Sequence, residues 1–219
     1  MQEAVKDVFL DVCTQRDYLA ADGKRPVCNA GAVCENVKHL MALARWAKIP
    51  TVSCVEIQDF EKVRGMQNPT CLAGTNGQTK VPGSILPRNV VVDSDNFLCI
   101  SLDLFERYQQ AILTKTHRDP FANPKLDRLL TELPATRFIL FGVSLESTLR
   151  LLALGLLLRH RRVALVSDAC AYWNDADAQM TLRQMEAKGC ELIPTHTFVR
   201  STFDTLRSRN PRIRRRFVA

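Results

Sequence analysis

Residues 137–152 of the chain have the sequence R-F-I-L-F-G-V-S-L-E-S-T-L-R-L-L. The apolar run that stops at Gly142 predicts a buried strand, and the leucine-rich stretch from about Leu145 to His160 predicts a long helix. A strand that turns at a glycine into a helix can present backbone N–H groups to a developing oxyanion. The stretch therefore has the pattern of an active-site elbow, although many βα turns also contain a glycine.

Segments of the same two kinds alternate along the rest of the chain. The other apolar strand patterns are V-F-L-D-V at 8–12, T-V-S-C-V-E-I at 51–57, V-V-V-D at 90–93, A-I-L-T-K at 111–115, R-V-A-L-V-S-D-A at 162–169 and C-E-L-I-P at 190–194. Helical patterns occupy residues 32–47, 125–132 and 177–188. Strands that alternate with helices predict an α/β fold, a Rossmann-like three-layer sandwich around a central, mostly parallel β-sheet.

The composition predicts one domain without a membrane span. The chain has 219 residues, 46% of them hydrophobic, which is enough to bury a single core. We expect this domain to cover residues 1–200 and a basic extension to cover residues 201–219. The longest apolar run, Leu151–Leu158, is too short for a membrane span, and the N-terminus lacks the pattern of a secretory signal. The predicted location is the cytosol, where the eight scattered cysteines would be free thiols.

The formal net charge of +7 is concentrated late in the chain. It lies in R-H-R-R at 159–162 and in R-S-R-N-P-R-I-R-R-R-F at 207–217. Such clusters can bind phosphates or nucleic acid. No nucleic-acid motif or stripe of aromatic residues accompanies the arginines, so we expect a solvated or subunit-contacting surface and no nucleic-acid partner.

Polar residues follow several predicted strands at the edge where parallel sheets bind ligands. Asp11 and Lys115 each end an apolar stretch. They form a candidate proton-handling pair, in which the lysine increases the acidity of a nucleophile and the carboxylate transfers the proton. Each residue alone is more often a helix cap, a salt-bridge partner or a strand-end charge. Cys13 and Cys170 lie near two strand ends, and for both we expect the role of a small buried hydrophobic residue.

Four motifs in a fixed order make the chain similar to a known family. They are D-V-C-T-Q-R-D-Y-L from residue 11, T-K-T-H-R-D-P-F-A-N-P-K-L from 114, F-G-V-S-L-E-S-T-L from 141 and V-S-D-A-C-A from 166. From about Val8 to Pro194 the sequence resembles the isochorismatase-like cysteine hydrolases, which include nicotinamidases and N-carbamoyl amidohydrolases. Each motif alone is weak, whereas the ordered set is specific. The resemblance implies the isochorismatase-like hydrolase fold.

The resemblance also implies two charged catalytic residues. Asp11 corresponds to the catalytic aspartate of the family and Lys115 to its catalytic lysine. The first motif of the family is usually Asp-x-Gln-x-Asp-Phe, whereas here Gln15, Asp17 and Tyr18 come two residues late. Asp11 is the best match to the aspartate that begins this motif, and we expect the geometry around it to differ from that of the family.

The position of the nucleophile is occupied by a threonine. In the family a cysteine lies six residues beyond the glycine of the third motif, and counting from Gly142 leads to Thr148. A thiol, with a pKa of about 8.5, ionises near neutral pH, whereas a threonine hydroxyl needs an adjacent base. The resemblance further implies a cis peptide bond between Val143 and Ser144, which makes Val143, Ser144 and Thr148 the candidate oxyanion residues. The elbow is thus predicted without its thiol.

Two aromatic residues are candidates for the wall of a substrate pocket. Phe121 and Trp173 could contact a flat ligand, although aromatic residues near strand ends are more often part of the core. Metal-binding members of the family carry an Asp-x-His type of cluster after the second strand, whereas residues 56–88 contain no histidine. We therefore expect no metal and no other cofactor.

Two functions remain open at this point. The first is a hydrolase for a small metabolite, in which Asp11 acts as general acid and water attacks, as in the true isochorismatases. The second is a catalytically inactive member that binds a ligand or serves as a scaffold. Leucines lie on nearly every side of the helix at 145–158, so we expect a homo-oligomer or coverage of this helix by the residues after Ser201.

Overall fold

A computed structural model describes residues 5–92, 100–101 and 103–209. The strands are β1 (Val5–Val12), β2 (Thr51–Glu56), β3 (Asn89–Val92), β4 (Gln110–Lys115), β5 (Ala135–Val143), β6 (Arg162–Ala171) and β7 (Glu191–Ile193). The helices are α1 (Arg16–Leu19), α2 (Ala30–Ala47), α3 (Leu104–Arg107), α4 (Pro124–Glu132), α5 (Arg150–Leu158), α6 (Asp175–Ala187) and α7 (Thr195–Arg209). Two 3₁₀ turns, at Asn76–Gln78 and Pro120–Ala122, and a π-helical turn at Leu145–Leu149 complete the described elements.

The strands form one sheet in the order β3-β4-β2-β1-β5-β6-β7. Every neighbouring pair is parallel, which confirms the predicted α/β fold. Strand β1 and strand β5 lie near the middle, and Phe9 and Phe141 are completely buried in edge-to-face contact at 5.5 Å between ring centroids. Their continuous apolar sequences follow from this position, because helices cover a parallel sheet on both faces.

The helices pack against the sheet and against one another. Helix α2 packs against β6 and α7, while α5 packs against β6 and α6. The helix predicted from Leu145 begins as the π-helical turn, and α5 continues it to Leu158. Within the described ranges, no helix is both long enough and apolar enough to cross a membrane.

The leucines at 145–158 are partly accounted for by the fold of one chain. Leu145, Leu149, Leu152 and Leu156 are buried in the core and Leu154 and Leu157 pack against it, whereas Leu151 and Leu158 are 37% and 80% exposed. Coverage by the residues after Ser201 does not fit the described part of α7, whose aromatic side chains contact β1 and α2 instead. The homo-oligomer stays a prediction that light scattering at micromolar concentration can test.

The last described helix crosses the boundary expected at residue 200. Helix α7 continues through residue 200, where we expected the domain to end, and reaches Arg209. Phe203 stacks on Trp46 of α2 at 4.6 Å between ring centroids, so this part of the extension packs on the domain. Residues 210–219, which carry most of the basic tail, lie outside the described residues.

Candidate active site

A cavity of about 630 Å³ lies at the carboxyl ends of the central strands. Cys13 follows β1, Glu56 ends β2, Val143 ends β5 and Trp173 follows β6, and all four line this cavity. Ligands of open parallel sheets bind at this edge. Of the strand-end residues singled out in the sequence, the elbow residues Val143, Ser144 and Thr148 line this cavity, whereas Asp11 and Lys115 do not.

Lys115, the last residue of β4, lies behind the cavity wall and is 3% exposed. Its Nζ donates to Oε2 of Glu56 and to the carbonyl oxygen of His117, each at 3.3 Å. Burial opposes the charged form of this amine, but the neighbouring Cys13 and Glu56 outweigh that effect and raise the pKa of Lys115 above its usual value. The site thus contains a permanent buried cation held by a carboxylate.

The predicted pair of Asp11 and Lys115 is not formed. The carboxylate of Asp11 is completely buried and accepts hydrogen bonds from Thr14 Oγ1 at 2.8 Å, from Ser53 Oγ at 2.8 Å and from Lys80 Nζ at 2.5 Å. Strand β1 continues past Asp11, which pairs in register with Ser53 of β2. Because Asp11 is an internal residue of the sheet, it lies one step below the cavity instead of on its wall.

Cys13 occupies the wall position that sequence reasoning gave to Asp11. Its side chain is 2% exposed and lines the cavity, and burial raises the pKa of its thiol while the nearby Lys115 ammonium opposes that rise. A signal for this residue was present in the sequence. If Gln15, Asp17 and Tyr18 are taken in register with Asp-x-Gln-x-Asp-Phe, the first position of the motif is Cys13.

The rest of this motif fixes the floor of the site. Gln15 Nε2 donates to the carbonyl oxygens of Glu56 and Gln78 at 2.8 and 2.7 Å, and Gln15 Oε1 accepts from the backbone N–H of Glu56 at 2.7 Å. Asp17 accepts from the backbone N–H of Cys71 at 2.6 Å. These contacts join the segments after β1 and β2, and they hold Glu56 where it meets Lys115.

The elbow is present as predicted. Val143, Ser144 and Thr148 all line the cavity, and the peptide bond between Val143 and Ser144 is cis, as the resemblance implied. Ser144 is 4% exposed and Thr148 6% exposed. Neither hydroxyl forms a hydrogen bond with any described residue. The elbow therefore supplies two buried hydroxyls that face the cavity without a protein partner.

The two aromatic candidates lie in different places. Trp173 lines the cavity, its backbone N–H donates to Glu146 Oε1 at 2.8 Å, and the Arg25 guanidinium lies 4.1 Å from its ring centroid. Phe121 instead packs between α5 and the Arg159 guanidinium, which lies 4.0 Å from the ring centroid. Phe121 is not among the residues that line this cavity, because the 3₁₀ turn that follows β4 directs its ring onto α5.

The sequence matches the isochorismatase domain family over residues 8–197, so the chain belongs to this family. No curated protein gave a significant match.

Several solved structures share the fold. A pyrazinamidase of Pyrococcus horikoshii in complex with zinc has a TM-score of 0.69 at 19% identity and covers 86% of this chain and 99% of its own. A nicotinamidase from Bacillus subtilis gives 0.69 at 17% identity, with the same coverage of 86% and 99%. An isochorismatase family protein from Desulfovibrio vulgaris gives 0.71 at 19% identity and covers 92% of this chain and 98% of its own.

The described residues do not fit a zinc ion like the one in the Pyrococcus horikoshii pyrazinamidase structure. Within the described ranges, no three His, Cys, Asp or Glu side chains converge as ligands for a metal. The carboxylate of Glu56 already accepts two hydrogen bonds. Lys115 Nζ donates to its Oε2, and the Gln58 amide donates to its Oε1 at 2.8 Å.

Proposed function

We propose that the protein is a hydrolase that acts on a small carbonyl-containing metabolite in the cavity at the strand ends. The observation that carries this proposal is the buried ammonium of Lys115, which Glu56 holds directly behind the cavity wall. Burying a lysine is costly unless it is paired, and a fixed cation in a poorly solvated site stabilises negative charge that develops during a reaction. A buried cation of this kind stabilises the anion that forms during acyl transfer, whereas it contributes little to the packing of the core.

The proposal changes the role given to Asp11. Because three donors already occupy its carboxylate, we assign Asp11 to the stability of the sheet and the substrate contacts to Cys13, Ser144 and Thr148 on the wall. Membership of the isochorismatase family supports hydrolysis. The names of the structural neighbours, a pyrazinamidase and a nicotinamidase, make aromatic amides the first substrates to test, followed by ureides and vinyl ethers.

Lys115→Met should lower kcat/KM for any substrate found in such a screen by about 100-fold, because the developing anion loses its fixed cation. Lys115→Arg keeps the charge and should keep most of the activity. The exposed Lys38→Met is the matched control and should leave kcat/KM unchanged. Steady-state kinetics on folded variants, checked by circular dichroism, measures the effect; equal rates for Lys115→Met and Lys38→Met would contradict the proposal.

A second candidate function is a binding protein without catalysis. It is favoured by the raised pKa of the Cys13 thiol, which burial keeps protonated at neutral pH, and by the two hydroxyls that lack protein partners. A ligand that binds only the folded state stabilises it by about 2.7 kcal/mol at 100 times its Kd. Thermal stabilisation by compounds that show no turnover, with Lys115→Met and wild type equally inert, would favour this function over hydrolysis.

A further inference from the structure

We propose that Cys13 is the nucleophile of the cavity and that the hydroxyls of Ser144 and Thr148 bind the carbonyl oxygen of the substrate. This inference rests on the proposed hydrolytic function. It moves the thiol from the elbow, where Thr148 stands, to the end of β1 on the same cavity wall.

The first support is the way in which the chain holds Cys13. Its φ of 46° lies in the left-handed region, which is uncommon for residues with a side chain and is enriched at functional sites; Lys48, Asn68, Cys71 and His160 also have positive φ. The backbone N–H of Cys13 donates to the carbonyl oxygen of Cys54 at 2.7 Å, and its carbonyl oxygen accepts from the N–H of Gln15 at 2.7 Å. This conformation ends β1 and places the side chain on the cavity.

The second support is the charge beside the thiol. Burial disfavours the thiolate of Cys13, and the Lys115 ammonium is the largest of the influences that oppose this effect. Lys115 does not have to touch the substrate to act. It is a positioning residue whose positive charge favours the thiolate and the anion formed after attack.

The third support is the pair of hydroxyls that line the same cavity as the thiol. A hydroxyl that lines a cavity and has no protein partner can bind water or a ligand there. Ser144 and Thr148 are both more than nine-tenths buried, both line the cavity and neither has a hydrogen-bond partner among the described residues. Two unsatisfied donors on the wall that also carries a thiol fit a carbonyl oxygen that gains negative charge as sulfur attacks.

The reaction that follows is an acyl transfer in two steps. The sulfur of Cys13 attacks the carbonyl carbon of an ester or amide, the C–S bond forms, the bond to the leaving group breaks, and the thiol proton passes through cavity water to the leaving group. Water then attacks the thioester, which restores the Cys13 thiol and releases the carboxylic acid. Atoms and protons balance without any oxidant, metal or cofactor.

Alkylation by iodoacetamide tests the thiol without requiring turnover. We expect the Cys13 peptide, followed by mass spectrometry of the folded protein, to react about tenfold faster for each pH unit between pH 7 and 9, because the thiolate fraction rises over that interval. Lys115→Met should slow this labelling by about tenfold and Lys115→Arg should restore it. The exposed Cys28 should label at the same rate in all three proteins, and the buried Cys54 should stay unlabelled. Labelling of Cys13 that is no faster than that of Cys54, or that ignores Lys115, overturns the proposal.

Acylation by 4-nitrophenyl acetate tests the covalent step. We expect a burst of nitrophenolate and an acetyl group on the Cys13 peptide, and Cys13→Ser should lose the burst and at least 100-fold in turnover of any substrate. Thr148→Ala should retain the acetylated thiol and lose about tenfold in kcat/KM. Cys34→Ser, outside the cavity, is the control that keeps the burst.

The outcomes separate the two proposals. An acetylated Cys13 without turnover of any substrate supports the thiol and contradicts the hydrolase function. Turnover that survives in Cys13→Ser but is lost in Thr148→Ala supports the hydrolase function and overturns the role of Cys13.

Discussion

Replacement of Lys80 by methionine is expected to destabilise the protein by about 3–5 kcal/mol, because it leaves a buried carboxylate without its counter-charge. The side chains of Lys80 and Asp11 are 4% and 0% exposed, and the Lys80 Nζ also donates to Thr14 Oγ1 at 2.6 Å. Asp11 would keep its bonds from Thr14 and Ser53, but these neutral donors do not compensate a full charge. Urea unfolding followed by circular dichroism measures the loss as a lower midpoint with an unchanged slope.

The double variant Asp11→Asn with Lys80→Met is the informative comparison. It removes both charges, so its destabilisation should be smaller than the sum of the two single changes, with a coupling energy of about 1–3 kcal/mol. The exposed Lys62→Met should change the free energy of unfolding by less than about 0.5 kcal/mol. Strict additivity of the two single changes would show that Asp11 and Lys80 do not depend on each other.

The fold was largely predictable because its signals are local. The apolar runs at Val8–Leu10 and Phe138–Val143 are continuous because both faces of a parallel sheet are covered, and alternation with helices then implies the topology. The missed elements include one long helix, α7 (Thr195–Arg209), which crosses the expected domain boundary, and several short ones. Helices α1 and α3 have four residues each, too few for a helical periodicity to emerge.

The parts of the site whose residues are close in sequence were predictable. The contacts between residues that are distant in sequence were not. Val143, Ser144 and Thr148 belong to one turn, so the elbow was found from its own sequence. Lys80 lies 69 residues from Asp11 and reaches it because its loop pairs with Gln15 in an isolated antiparallel bridge. No spacing in the sequence indicates such a contact, so the strand-end pattern and the family resemblance led to the pairing of Asp11 with Lys115 instead of Lys80.

The position of Asp11 below the cavity could not be predicted for a related reason. An apolar pattern indicates that a strand is present but not the residue at which it ends. Strand β1 continues one residue past Asp11, so the carboxylate of Asp11 lies within the sheet and Cys13 lines the cavity. The left-handed backbone conformation of Cys13 marks the end of β1, and a cysteine at this position does not predict that conformation.

Gly142→Ala is expected to destabilise the protein by at least about 4 kcal/mol, a loss that few single substitutions cause. The φ of Gly142 is 116°, a conformation that residues with a Cβ rarely adopt. An added Cβ would also lie 2.0 Å from the carbonyl oxygen of Val12 on the neighbouring strand and 2.9 Å from the Val12 carbonyl carbon and nitrogen. These are backbone atoms at the centre of the sheet, so relief requires β1 and β5 to separate where they hold Cys13 and the elbow.

Gly189→Ala separates the two causes, since Gly189 has a φ of 91° but a Cβ added there would meet no other atom within 4 Å. The unfavourable backbone conformation alone costs about 1–2 kcal/mol. Urea unfolding of both variants should therefore show a loss at Gly142 at least twice that at Gly189, with much of the Gly142→Ala protein recovered in the insoluble fraction. Equal losses would mean that β1 and β5 can move apart at Val12, and the wall that carries Cys13 would then be far less rigid than its backbone contacts imply.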